Sequence, residues 1–158
     1  MKKYIEIVLI VLGLAFVTPG VVLAAGGSSD RPVVAPTDPD LERANKAIKG
    51  KNWGQAIDLL NKALVRDDKN AEIYNLLGYS ERNLGNLDSA FKYYDKALAL
   101  DPKHRGAHEY VGEAYLMTGN LGKAEEQLAA LKKLCFLPCE EYRDLKTAIA
   151  EYKQKNMR

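Results

Sequence analysis

Residues 71–104 read AEIYNLLGYSERNLGNLDSAFKYYDKALALDPKH, and this stretch decides the fold. Ile73, Tyr74, Leu77, Tyr79 and Leu84 fall mainly on one side of a predicted first helix. Gly85 can take the left-handed conformation that ends it, and Asn86 can then cap the next. Leu87, Ala90, Phe91, Tyr94, Ala97 and Leu98 give the second helix its apolar stripe. Gly78 and Ala90 are small where the two helices must approach closely. Asp101-Pro102 stops the second helix, because proline disfavours helical geometry in the residue before it.

The unit recurs at a step of 34 residues. Ala56, Ala90 and Ala124 keep that step, as do Asn52, Asn86 and Asn120, and Leu60, Tyr94 and Leu128. A fixed period in this range means stacked supersecondary units rather than one globular core. Cut at the period, the chain gives residues 37–70, 71–104 and 105–138. Gly119-Asn120 repeats the turn, and Lys51-Asn52 replaces it in the first unit. Each unit leaves an apolar face that only a neighbour can bury, so the last needs a cap. Tyr142, Leu145, Ile149 and Tyr152 form a single helical face within residues 139–155. Arg143, Asp144, Lys146, Glu151 and Lys153 make the rest of that helix polar, as a solvating end requires. The first unit departs most from the pattern. Asp40 and Arg43 stand where the others have Tyr74 or His108 and Leu77 or Val111, so its first helix is expected to pack loosely or to lean on a partner. Asp38 with Pro39 still marks a helix start.

Tyr74, Leu77, Gly78, Ala90, Tyr94, Ala97 and Pro102, with Val111, Gly112, Tyr115, Ala124 and Leu128 in the next unit, closely resemble the tetratricopeptide repeat. The resemblance covers about two thirds of the chain. It implies an all-α, right-handed superhelical solenoid of three helix-turn-helix repeats plus a C-terminal capping helix. It also implies a concave groove in which first helices hold a protein segment. The positions carried over are Leu41, Asn45, Asn75, Leu76, Tyr79, Arg82, Glu109, Tyr110 and Glu113. Tyr79 and Tyr110 supply large contact area with a polar tip. Asn45 and Asn75 can hydrogen-bond the backbone of an extended peptide. The plainer reading of the same residues is a solvated helix face. Family members that clamp the carboxy-terminus of chaperones use a lysine and asparagine set in the groove. Asn45 matches one member of that set, but Leu41, Leu76, Gly106 and Tyr110 replace the others, so the clamp is absent.

Outside the repeats, residues 1–25 have the layout of a secretory signal peptide. Lys2 and Lys3 open it, Ile7 to Val17 is apolar, Thr18-Pro19-Gly20 breaks the run, and Val22-Leu23-Ala24 or Leu23-Ala24-Ala25 offers a cleavage site. The alternative is an uncleaved anchor over residues 7–25, near the ~20 residues a span needs, although Pro19-Gly20 would interrupt it. Residues 26–36 form a linker, Gly-Ser-rich and then stiffened by Pro32 and Pro36. Without Lys2, Lys3 and Glu6 the chain keeps 21 basic and 20 acidic side chains, a balance that argues against binding nucleic acid or a membrane surface.

Cys135 and Cys139 enclose Phe136-Leu137-Pro138. In an exported protein such a pair reads as a disulfide locking the last repeat to the cap; buried thiols and a Cu(I) or redox site are the alternatives. His104 and His108 are four apart, a spacing that can serve a metal, but no third ligand is marked and His108 occupies the packing slot of Tyr74. Trp53 aligns with Leu87 and Leu121 and reads as a packing residue. There is no nucleophile–base pair or phosphate loop, so no enzyme and no cofactor are predicted. The reading is an exported, periplasmic scaffold or adaptor that binds a protein or peptide, with assembly of cell-envelope proteins as its setting. A copper-handling or redox protein and a self-assembling structural unit are the rivals. Contact with a membrane is expected only through residues 7–25, if they are not cleaved.

Overall fold

The computed structural model describes residues 38–156; the predicted signal peptide and linker lie outside them. Seven helices follow one another among the described residues: α1 (Pro39–Lys49), α2 (Trp53–Arg66), α3 (Ala71–Asn83), α4 (Leu87–Leu100), α5 (Arg105–Met117), α6 (Leu121–Leu134) and α7 (Glu140–Asn156). Successive helices pack on one another, α3 also touches α5, and α7 lies against both α5 and α6. The chain is an all-α helical repeat solenoid. No helix among the described residues is long and apolar enough to cross a membrane.

The core runs within each unit and on into the next. Ala44, Ala47, Leu60 and Ala63 of the first unit share one cluster with Ile73, Leu76 and Leu77 of the second. Ala90 and Tyr94 meet Val111 and Ala114 of the third. Leu116, Ala124 and Leu131 meet Leu145 and Ile149 of α7, with Tyr142 and Tyr152 packed around them. Helix α7 therefore covers the face that the third unit cannot cover alone, by the same nearest-neighbour logic that joins the repeats.

Close approach between helices depends on two glycines. A Cβ at Gly78 would lie 2.6 Å from the Tyr94 ring, and one at Gly112 would lie 2.6 Å from a Leu145 methyl. Tyr94 and Leu145 are both fully buried. In the first unit the equivalent pair is Ala44 and Leu60, also fully buried, so a larger small residue faces a smaller large one. Conserving volume across the pair keeps the spacing of the helices.

The first helix does not pack loosely, contrary to the expectation from Asp40 and Arg43. Ala44 and Ala47 are buried in the first core and Leu41 and Ile48 pack against it. Where the other units have apolar side chains, this one has ion pairs. Arg66, at the end of α2, donates from Nε and Nη2 to the two carboxylate oxygens of Asp38 (2.6 and 2.7 Å) and from Nη2 to Asp40 (2.7 Å). Arg43 adds a 2.9 Å bond to Asp40. Asp38 also accepts from the backbone N–H groups of Asp40 and Leu41, capping α1. The Arg66 hydrogen bonds, helped by these N–H groups, hold the Asp38 carboxyl down at about 2.

The turns inside the hairpins need a left-handed residue. Gly85 and Gly119 supply it with φ of +86° and +77°, and Lys51 adopts it at +57° without being glycine. The asparagines that follow behave differently from one another. Asn120 accepts from the Lys123 N–H at 3.2 Å, whereas Asn52 and Asn86 make no side-chain cap, and Asn86 instead donates to Glu81 at 2.7 Å. The Asn86 amide is thus anchored through its N–H to the end of α3, and its oxygen makes no cap on α4.

Cys135 and Cys139 are joined by a disulfide between the end of α6 and the start of α7. It holds a short loop in which Phe136 and Leu137 are exposed.

Two measurements test this packing. Gly78→Ala is expected to destabilise the protein by ~1–3 kcal/mol in urea unfolding through overpacking against Tyr94. Gly54→Ala, where a new Cβ meets nothing within 4 Å, is expected to be neutral or stabilising by up to ~1 kcal/mol. An equal gain at both sites would show that helix propensity, and not the close approach, governs Gly78. Separately, a thiol reagent should find no free thiol before reduction, and reduction should cost about 2 kcal/mol, the entropy of a five-residue loop.

Candidate protein-binding face

The side chains singled out on α3 and α5 meet across the line where these helices touch. Tyr79 and Tyr110 stack at a tilt, ring centroids 4.7 Å apart. Trp53, from the start of α2, meets the other side of Tyr79 edge-on at 5.7 Å. The Arg82 guanidinium lies 5.3 Å from the Tyr79 ring centroid and 5.5 Å from that of Tyr110, and it donates to the Glu113 carboxylate. Only 11% of the Arg82 side chain is exposed. One cation therefore braces two rings and one carboxylate, each contact worth on the order of 1 kcal/mol. The two tyrosines are half-buried and held in place before any partner arrives.

Beside this aromatic row lies a pocket between α3, α5 and α7. Glu72 and Asn75 line it from α3, Gly106, Glu109 and Tyr110 from α5, and Glu140, Glu141 and Asp144 from α7, with His104 at the rim. Its charges are mostly negative and only partly compensated. His104 Nδ1 accepts the Ala107 N–H and so caps α5, which leaves the Nε2 proton to face Glu72 at 2.9 Å. That hydrogen bond raises the His104 pKa. Arg105 stands 3.4 Å from Glu141.

Glu109 is 9% exposed and has no hydrogen-bond partner among the described residues. Burial, then repulsion from Glu113, Asp144 and Glu141, pushes its carboxyl up to about 8 against the weaker pull of Arg82. Burial, with Glu109 next to it, pushes the Tyr110 phenol up to about 12. Asn75 is 2% exposed; its amide N–H donates to Glu72 at 3.1 Å, while its Oδ1 is buried without a partner. The Tyr94 hydroxyl, beneath the same face, is likewise buried without one.

Of the residues named from the sequence, Asn75, Tyr79, Arg82, Glu109, Tyr110 and Glu113 come together here. Asn45 lies apart, half-buried on α1. Leu76 does not contribute: it is 7% exposed and belongs to the first core, because its place on α3 points toward the first unit. Sequence reasoning missed Trp53 as a neighbour of Tyr79, and it missed the acidic wall from α7. A signal for the wall existed. The 34-residue step carries Gly106 to Glu140 and Tyr110 to Asp144, so α7 continues the row of first helices as well as capping it. The two histidines have separate structural tasks, His108 bonding Gln127 and the Pro102 carbonyl. Among the described residues no three His, Cys, Asp or Glu side chains converge as metal ligands.

Comparison with known proteins agrees with this architecture. Two tetratricopeptide repeat models match, over residues 41–104 and 83–149. The protein O-mannosyl-transferase TMTC3 of Homo sapiens is 30% identical over 93 residues, covering 58% of this chain and 10% of that protein. The chain thus spans about a tenth of that curated relative's length. Among solved structures, the Yersinia enterocolitica type III secretion chaperone SycD in complex with a peptide of the translocator YopD superposes with a TM-score of 0.62 at 20% identity, over 73% of this chain and 88% of that one. The second domain of human RPAP3, bound to the HSP70 peptide SGPTIEEVD, superposes with a TM-score of 0.62 at 19% identity, over 72% and 92%. At these identities the likeness is one of fold.

The buried Glu109 makes a pH-dependent prediction. Its folded value, about 8, lies above the 4.5 of a free carboxyl, so the native state holds the proton more tightly. Stability is therefore lost as pH rises from about 4.5 to about 8, and the loss is complete above that. Glu109→Gln is expected to be neutral at pH 5 and stabilising at pH 8.5 by on the order of 2 kcal/mol, solvent screening at the pocket mouth taken into account. Urea unfolding of both proteins at the two pH values reads the difference. An equal shift at both would mean the carboxyl is not held neutral by its surroundings.

Proposed function

This chain belongs to the tetratricopeptide repeat family, and from that premise we propose that it is an exported protein–protein interaction scaffold. It holds a peptide segment on the face formed by α3, α5 and α7. The observation that carries this reading is the Tyr79–Tyr110 stack braced by Arg82. Amphipathic aromatic side chains are the type that anchors partners, and they bind at lower entropic cost when fixed beforehand. Binding here needs no chemistry from the scaffold, since affinity comes from contact area and polar pairing.

Export is supported by the charged, apolar and small-residue succession in residues 1–25 and by a disulfide that suits an oxidising compartment. An uncleaved segment over residues 7–25 would instead tether the scaffold to the outer face of a membrane. Either route places it among cell-envelope proteins, whose assembly is its proposed setting. The chemistry of the face argues against an acidic peptide of the EEVD kind as the ligand. Carboxylates line the pocket, and the basic positions of a carboxylate clamp are occupied by Gly106 and Tyr110.

Affinity capture from a cell-envelope extract, with wild type and the Tyr79→Ala/Tyr110→Ala double variant in parallel, tests the reading. The double variant is expected to lose partner capture by about a hundredfold while its circular dichroism stays that of the wild type. Capture that survives the double substitution would place the binding site elsewhere.

A further inference from the structure

Resting on that reading of the face, we propose that the pocket between α3, α5 and α7 seats one cationic side chain, lysine or arginine, of the bound segment. Two side chains that line it have an oxygen without a hydrogen-bond partner among the described residues. Glu109, 9% exposed, has no hydrogen bond among the described residues, and Asn75 presents a buried, unpaired Oδ1. A polar group left unpaired in a mostly buried side chain is costly, and a ligand donor entering the pocket would relieve Glu109. An ammonium offers three donors and a guanidinium five, whereas a backbone amide offers one.

The surrounding charge selects a cation. Facing Glu109 are Glu113 and His104 from its own segment, Arg82 and Glu72 from α3, and Glu141 and Asp144 from α7. Of the cations, Arg82 is engaged by Glu113 and His104 by Glu72. Asp144 and Glu109 keep no charged partner among the described residues. The acids are spread around the walls rather than converging, a layout that fits an extended organic cation better than a metal ion. The Tyr110 ring forms part of the same wall and can cover the aliphatic stem of the entering side chain. Because Glu109 holds its proton to about pH 8, an entering cation displaces that proton, and binding tightens as pH rises toward 8.

Random dodecamer peptides displayed on phage, selected against the full chain, test the proposal. Selected peptides are expected to share a lysine or arginine at one fixed place. Replacing that residue by norleucine in the synthetic peptide should weaken binding at least tenfold to the wild type and less than about twofold to Glu109→Gln. Wild-type affinity should rise about tenfold from pH 6 to pH 8, and that of Glu109→Gln should stay flat. Peptides without a shared basic residue, or an equal norleucine effect on both proteins, would overturn the cationic pocket. If such peptides still lose binding to the Tyr79→Ala/Tyr110→Ala variant, the peptide-binding face stands without it. Peptides that bind this variant as well as wild type would remove the face itself. Comparing lysine and arginine versions of one selected peptide identifies the side chain preferred.

Discussion

The contact of the Tyr94 ring with the bare backbone of Gly78 sets the distance between α3 and α4, and the rest of the solenoid depends on such contacts. Leu145 on Gly112 does the same between α7 and α5, and Leu60 beside Ala44 does it with a redistributed volume in the first unit. Each pair puts a large side chain where its neighbour has almost none. Helices held this near bury alanines completely, and those alanines recur at the 34-residue step. The stack then propagates one unit at a time, since every core reaches from one unit into its neighbour.

The binding face is a by-product of that spacing. Tyr79 follows Gly78 directly, so the close approach on one side of α3 turns Tyr79 toward α5 on the other. Tyr110 comes from the equivalent side of the next first helix, and Arg82 fills the gap between the rings. Below them the Tyr94 hydroxyl and the Asn75 Oδ1 stay unpaired, and Glu109 is held neutral at a cost that only a ligand would recover. Groups of this kind lower stability and are tolerated where binding needs them. The departures from good packing are concentrated on one face, which is the strongest reason to look for function there.

Much of this was legible in the residues. The period, the small positions and the left-handed turns could be read directly because they are local or repeat at a constant offset. Six of the nine positions carried over meet on one face, because a helix keeps residues three and four apart on one side. Leu76 failed because its neighbour Asn75 and it point to different units, and only packing decides which of the two is buried deeper. The loosely packed first helix failed for a different reason. Asp38, Asp40 and Arg66 lie up to 28 residues apart, and no local pattern announces that they will close on one another.

By itself the sequence determined the repeat, the helices and the order in which they stack, since periodic burial needs only the identities of residues at fixed offsets. The tertiary structure alone decided which charges face one another. It put Glu141 and Asp144 of the last helix beside Glu109, and Arg82 between two tyrosines of different units. Electrostatic surroundings depend on distances between residues far apart in the chain and on how much water lies between them. Those quantities exist only after the helices have packed.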